Sequence, residues 1–66
     1  MATGIVRFYN SAKGFGMITP DLGGPAIFAR SNEIVGGKVL RVSQRVDFNV
    51  CEAPDGAFAA KIRILP

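Results

Sequence analysis

The chain has no histidine and no tryptophan, and only one cysteine and one tyrosine. Without histidine, the commonest general base and the commonest neutral metal ligand are gone. A lone Cys51 excludes an internal disulfide and a thiolate zinc cage. Acids are scarce too. Asp21, Glu33, Asp47, Glu52 and Asp55 form no D-x-D or E-x-x-E cluster suited to a metal. The closest pairs, Asp47/Glu52 and Glu52/Asp55, have neither base nor nucleophile beside them. These absences argue against an enzyme, so no catalytic residue, metal, cofactor or small-molecule substrate is assigned. Long apolar runs are also missing. The uncharged stretches fall far short of the ~18 apolar residues a membrane span needs. Met1-Ala2-Thr3-Gly4 lacks the basic start of a secretion signal, and Arg7 interrupts the apolar run early. A disulfide-free extracellular domain of this size would be unusual, so the expected compartment is a reducing cytoplasm, away from membranes.

What remains is a short apolar chain with a basic excess. Its 66 residues are 48% hydrophobic and 20% charged, which separates it from disordered, charge-rich tails. A chain this short buries only about 60% of the surface its unfolded form exposes, so one thin-cored domain over residues 1–66 is expected. Eight Lys and Arg against five acids give +3. Net charge alone is weak evidence of a partner. Its placement says more, because Arg7, Lys13 and Arg30 interleave with Phe8, Tyr9, Phe15 and Phe28.

Turn residues punctuate the chain at 10–14, 20–25, 36–37 and 54–56. Between them lie short runs rich in Ile, Val and Phe, the signature of a small all-β barrel or sandwich. The pattern predicts five strands, at Gly4–Asn10, Phe15–Thr19, Ala26–Ala29, Arg45–Glu52 and Phe58–Leu65. In the second, Gly16 and Ile18 share one face and Phe15 and Met17 the other. In the third, Ile27 and Ala29 oppose Phe28 and Arg30. The fourth sets Val46, Phe48 and Val50 inward and Arg45, Asp47 and Asn49 outward. The fifth sets Ala60, Ile62 and Ile64 inward and leaves Lys61 and Arg63 on a solvated face. Val6 and Phe8 have the same parity, so they face opposite ways only if a bulge intervenes. Ser31–Ser43 is the longest connection, with Ile34, Val39, Leu40 and Val42 expected to tuck under the barrel. The fold class is therefore all-β, a five-stranded antiparallel OB-type barrel, whose closure removes exposed sheet edges.

Phe15 and Phe28 oppose the core set of their strands, so they form an apolar patch on the wet face. Lys13, Arg7 and Arg30 rim the same region. Flat rings among cations suit single-stranded nucleic acid, whose unpaired bases stack while phosphates follow at each step. Gly14 and Gly16 flank Phe15 and allow a tight turn and close backbone approach. The Gly-Phe-Gly triplet opens a strand rather than a helix, so it is no phosphate-cradling loop.

The run from Thr3 to Asp21 resembles the start of bacterial cold-shock proteins, which typically read T-G-x-V-K-W-F-N-x-x-K-G-F-G-F-I. Lys13–Ile18 is similar to that family's first ribonucleoprotein motif, and Ile27-Phe28-Ala29-Arg30-Ser31 stands where its second, V-F-V-H-F, belongs. The likeness is dense up to Ile34 and returns through Val46-Asp47-Phe48 and Gly56–Ile62. It implies an OB-fold barrel, binding of single-stranded RNA and DNA, and RNA-chaperone or antitermination activity. Departures are plain. Phe8 replaces a tryptophan, Met17 a phenylalanine, Arg30 a histidine and Ser31 a phenylalanine. The loop after Ile34 is about two residues short and lacks its usual aromatic, and Asp55 stands where some members carry a basic residue. Arg30 can stack or hold a phosphate, and Met17 offers a polarizable contact. Phe58 is an extra aromatic, although its parity with Ala60 and Ile62 favours core or loop packing. Tyr9 is open to either reading, as a stacker or a half-buried ring.

The candidate nucleic-acid-binding set is Arg7, Phe8, Tyr9, Asn10, Lys13, Phe15, Met17, Phe28, Arg30 and Phe58. The expected partners of a monomer are single-stranded RNA and single-stranded DNA. The competing reading keeps the fold but gives the thinned platform to a protein partner. A third is a small ribosome-associated domain that recognises structured RNA.

Overall fold

The computed structural model describes residues 2–37 and 39–66. Five strands form: β1 Ala2–Asn10, β2 Phe15–Pro20, β3 Ile27–Arg30, β4 Arg45–Ala53 and β5 Gly56–Ile64. They close into a barrel in the order β1-β2-β3-β5-β4. Four neighbouring pairs are antiparallel, and β3 runs parallel to β5. The parallel pair is the one departure from the expected antiparallel barrel. Parallel neighbours need a long crossover, and here the 31–44 connection followed by β4 supplies it. Closure gives every strand a neighbour on both sides. Among the described residues, no helix is long and apolar enough to cross a membrane, and no group of three or more Cys, Asp or Glu could hold a metal.

The core gathers Val6, Ile18, Ile27, Ala29, Val46, Phe48, Ala59 and Ile62 from the strands, plus Ile34 and Leu40 from the connection. Alternation holds from Phe15 to Thr19 in β2 and throughout β3. Two irregularities reset it elsewhere. In β1 the register with β2 slips between Val6 and Phe8, the bulge that the parity of those residues demands. Val6 is buried and Phe8 is exposed.

In β5 the register slips against Asp47/Asn49, and Lys61 takes a left-handed φ of 50°. The expected inward face of β5 is thereby corrected. Ile62 stays inward, but Ala59 rather than Ala60 is buried. Glu33 caps this irregularity, its Oε1 accepting from the Lys61 N–H at 3.4 Å.

β4 also differs from its expected pattern. Val50 is 48% exposed, because the β4–β5 hairpin runs past the end of the barrel. Asp47 is buried, at 6% exposure, where an outward residue was expected. It faces β5 and grips Arg63, whose Nε and Nη2 donate to its two carboxylate oxygens at 3.0 Å each. Arg63 is thus an ion-pair partner rather than a free solvated cation, and this pairing holds its pKa above the ordinary arginine value. Of the four apolar residues expected under the barrel, Ile34 and Leu40 are buried, whereas Val39 and Val42 are exposed. The Ile34 backbone bridges to Ile62, which fixes that part of the connection against β5.

Candidate nucleic-acid interface

The β1–β2 turn sets the start of the interface. Asn10 accepts twice, from the Gly14 N–H at 2.8 Å through its carbonyl and from the Lys13 N–H at 3.1 Å through Oδ1. Gly14 takes a φ of 75°, which permits the tight reversal. Its carbonyl accepts from the Ser31 N–H at 2.9 Å, so the turn is tied to the end of β3. Gly16 is dictated by closeness: a Cβ there would lie 2.2 Å from the Phe8 carbonyl oxygen. Backbone contact at Gly16 thus holds β1 and β2 together beneath the aromatic side chains.

Strand register then lays outward side chains in rows. Phe8 pairs with Met17, Met17 with Phe28, Phe28 with Phe58, and Phe58 with Cys51. Directly opposed residues share a face, so these five form one row across the barrel. Beside it, Asn10 pairs with Phe15 and Phe15 with Arg30. The rings touch across the rows. Phe15 meets Phe8 edge-on at 6.3 Å between centroids and 79°, and meets Phe28 at 5.6 Å and 67°. The Arg30 guanidinium carbon sits 5.9 Å from the Phe28 centroid, within cation–π range. Phe8 and Phe28 remain 42% and 39% exposed, so water still reaches them.

The sequence-predicted residues therefore divide. Phe8, Asn10, Phe15, Met17, Phe28, Arg30 and Phe58 come together on one outer face. Phe58 joins it because of the β5 irregularity, and the core packing its parity favoured is overturned. Tyr9 is turned the other way. It opposes Gly16 on the inner face and packs half-buried against the core. Asn10 lies opposite Phe15, but its Oδ1 is committed to the turn. Lys13 lines a hollow of about 490 Å³ with Phe15, Phe28, Arg30 and Asn32. Arg7 is exposed at the β1 bulge and lines neither that hollow nor its neighbour.

That neighbouring hollow, of about 360 Å³, lies between Phe28 and Phe58 and is lined by Arg30, Asn32, Glu33 and Asp55. Asn32, Glu33 and Asp55 were not in the sequence-derived set. Strand alternation says nothing of them, because they come from the turn after β3 and the β4–β5 hairpin. Cys51 was not in that set either, although it shares parity with Asp47 and Asn49, the face of β4 expected to be outward.

The chain matches the family model described as the 'Cold-shock' DNA-binding domain over residues 2–65. It is 46% identical over 67 residues to "Cold shock-like protein CspA" of Bordetella pertussis, covering 98% of this chain and 100% of that protein. It is 43% identical over 68 residues to a protein of the same name from Stigmatella aurantiaca, covering 100% of both chains. Identity to "Cold shock-like protein CspD" of Escherichia coli is 42% over 64 residues, covering 94% of this chain and 86% of the relative.

Proposed function

The chain belongs to the 'cold-shock' DNA-binding domain family, and from that premise we propose that it binds single-stranded RNA and DNA on the outer face of its barrel. We place this activity in the cytoplasm, in a monomer acting as an RNA chaperone or a modulator of transcription and translation. The observation that carries the reading is the contact chain Phe8–Phe15–Phe28, rimmed by Lys13 and Arg30. Each base that stacks on such a ring contributes ~1–3 kcal/mol without regard to sequence, because every base has a flat π-face. Lys13, Arg30 and Arg7 hold phosphates along the way. None of the three is drawn into an ion pair among the described residues. Binding captures the unpaired form of an RNA and so shifts it away from its hairpins, and no ATP is consumed.

The test is a titration of a labelled mixed-sequence heptanucleotide, read by fluorescence anisotropy at two salt concentrations, beside a duplex of equal length. Single strands should bind more tightly than duplex. Three phosphate contacts give a slope of log affinity on log salt of about −2. No single-strand binding at tens of micromolar in low salt, with the protein folded, refutes the proposal. It would favour the protein-interaction reading, which draws its own support from Leu22, Val35, Val39 and Val42, all exposed.

A further inference from the structure

Two hollows meet at Phe28 and Arg30, and they differ in charge. The first contains Lys13 and Arg30 and no carboxylate, a formal +2. The second contains Arg30 against Glu33 and Asp55, a formal −1. Asn32 lines both, and its amide both donates and accepts, so it does not separate them. A phosphate is drawn to the first hollow and repelled from the second. The second still offers an aromatic setting, since Phe28 and Phe58 leave neighbouring strands as direct partners. A group that suits it is flat, uncharged and apolar on its faces, with hydrogen-bond donors at its edge. That describes a nucleobase whose phosphate lies elsewhere.

The carboxylates then choose among bases, because an ionised carboxylate only accepts. Cytosine, adenine and guanine carry exocyclic amino groups that donate to it. Uracil and thymine present two carbonyl oxygens about a single ring N–H, and those oxygens face the carboxylates unfavourably. Glu33 is held for this role. One of its oxygens accepts from the Lys61 N–H, which fixes the side chain beside β5. Asp55 stands in the β4–β5 turn, between the paired residues Ala53 and Gly56. We infer that the hollow between Phe28 and Phe58 is a base-edge site, in which Glu33 and Asp55 select amino-bearing bases over uracil and thymine. This rests on the single-strand reading above and sharpens it.

Cytosine and uracil differ at position 4, amino against carbonyl, and stack similarly. Labelled heptamers of deoxycytidine and deoxyuridine therefore isolate the effect, titrated at neutral pH with the intact chain. A well-placed donor–carboxylate pair separates bases by roughly tenfold, so the deoxycytidine heptamer should bind about tenfold tighter. In the E33Q/D55N double variant the two should fall within about twofold, because amides also donate to the uracil O4. Glu33→Gln keeps the oxygen that accepts from Lys61, so the fold is spared. Equal or tighter binding of the deoxyuridine heptamer to the unaltered chain overturns the inference. So does a tenfold gap that survives in the double variant. If neither these heptamers nor a mixed-sequence one binds the folded protein, the single-strand reading itself fails, and the inference falls with it.

Discussion

Replacing Phe15 by alanine tests the stacking surface at its centre. Phe15 is the middle of three rings, in edge contact with Phe8 and with Phe28. Its loss removes one stacking face, a cost of ~1–3 kcal/mol or roughly 5- to 150-fold in Kd. It also frees both neighbouring rings, whose ordering must then be supplied on binding, so the loss should fall in the upper half of that range. Stability will change as well. Edge-to-face pairs contribute ~0.5–1.5 kcal/mol each, and two pairs on a half-exposed face amount to about 1 kcal/mol. For a domain of this size that lowers Tm by roughly 4–8 °C. Phe15→Leu separates the two effects, since it retains apolar volume but offers no flat π-face. The assay pairs anisotropy titration of a heptanucleotide with thermal melts followed by far-ultraviolet circular dichroism. Phe15→Leu loses the same edge contacts but keeps apolar volume, so it should melt no lower than Phe15→Ala and still bind about tenfold more weakly than the unaltered chain. A folded Phe15→Leu that binds within twofold of the unaltered chain would refute the stacking argument. So would a Phe15→Ala affinity loss explained wholly by the unfolded fraction.

Gly16→Ala forces a methyl to 2.2 Å from the Phe8 carbonyl oxygen and 2.8 Å from the Tyr9 Cα. The strain falls on backbone, so the cost should reach ~3 kcal/mol or more, seen as a large drop in the urea midpoint. Ser43 holds a φ of 72°, a left-handed conformation that glycine adopts freely. Ser43→Gly should raise stability by ~0.5–1 kcal/mol, net of the added freedom of the unfolded chain, and an unchanged or lower Tm would count against it. The Thr3 hydroxyl donates to Asp21 at 2.7 Å, and Arg45 pairs with the same carboxylate at 2.9 Å. First that hydroxyl and then Arg45 hold the Asp21 pKa below its ordinary 3.8, against the opposing effect of desolvation. A depressed folded pKa contributes stability that is present above the unfolded value and lost as pH falls through the folded one. Tm should therefore decline more shallowly below about pH 4 in Asp21→Asn than in the unaltered chain, and parallel acid profiles would remove the linkage.

Most of the fold is legible because period-2 alternation is a local property. Ile18 and Gly16, or Ile27 and Ala29, reach the core without help from distant residues. The readings that fail depend on long-range geometry. Val50 has the parity of a core residue, but whether a core exists at its level depends on where the barrel ends. Asp47 reads as a wet residue, yet Arg63 on the next strand satisfies both of its oxygens, and a satisfied carboxylate tolerates burial. Val39 and Leu40 are adjacent and equally apolar, and only the path of the connection sends one out and the other in. In the candidate site, Phe15, Phe28 and Arg30 were legible for the same local reason, whereas Lys13, in the β1–β2 turn, was marked by the Lys13–Ile18 motif. Asn32, Glu33 and Asp55 come from turns, where no period marks the direction of a side chain.

The two breaks in alternation have a common effect. With regular pleating, Phe8 would face inward with Val6, and Phe58 would face inward with Ile62. The bulge near Arg7 turns Phe8 outward and sends Tyr9 to the core in its place. The irregularity at Lys61 turns Phe58 outward and sends Ala59 to the core. Phe28, on regular β3, needs no such device. Each irregularity thus adds a ring to the outer row Phe8–Met17–Phe28–Phe58, and the one at Lys61 also takes a bulky ring out of a thin interior. The interior gains as much as the surface, since a barrel this narrow accommodates Ala59 beside Phe48 more readily than a second phenylalanine. Bulges re-aim side chains at the cost of ladder hydrogen bonds, and a left-handed Lys61 adds backbone strain. That cost is offset in part by Glu33, which caps the strained N–H and at the same time stands in the hollow beside Phe58. One carboxylate therefore links the device that exposes the ring to the chemistry assigned to the space beside it.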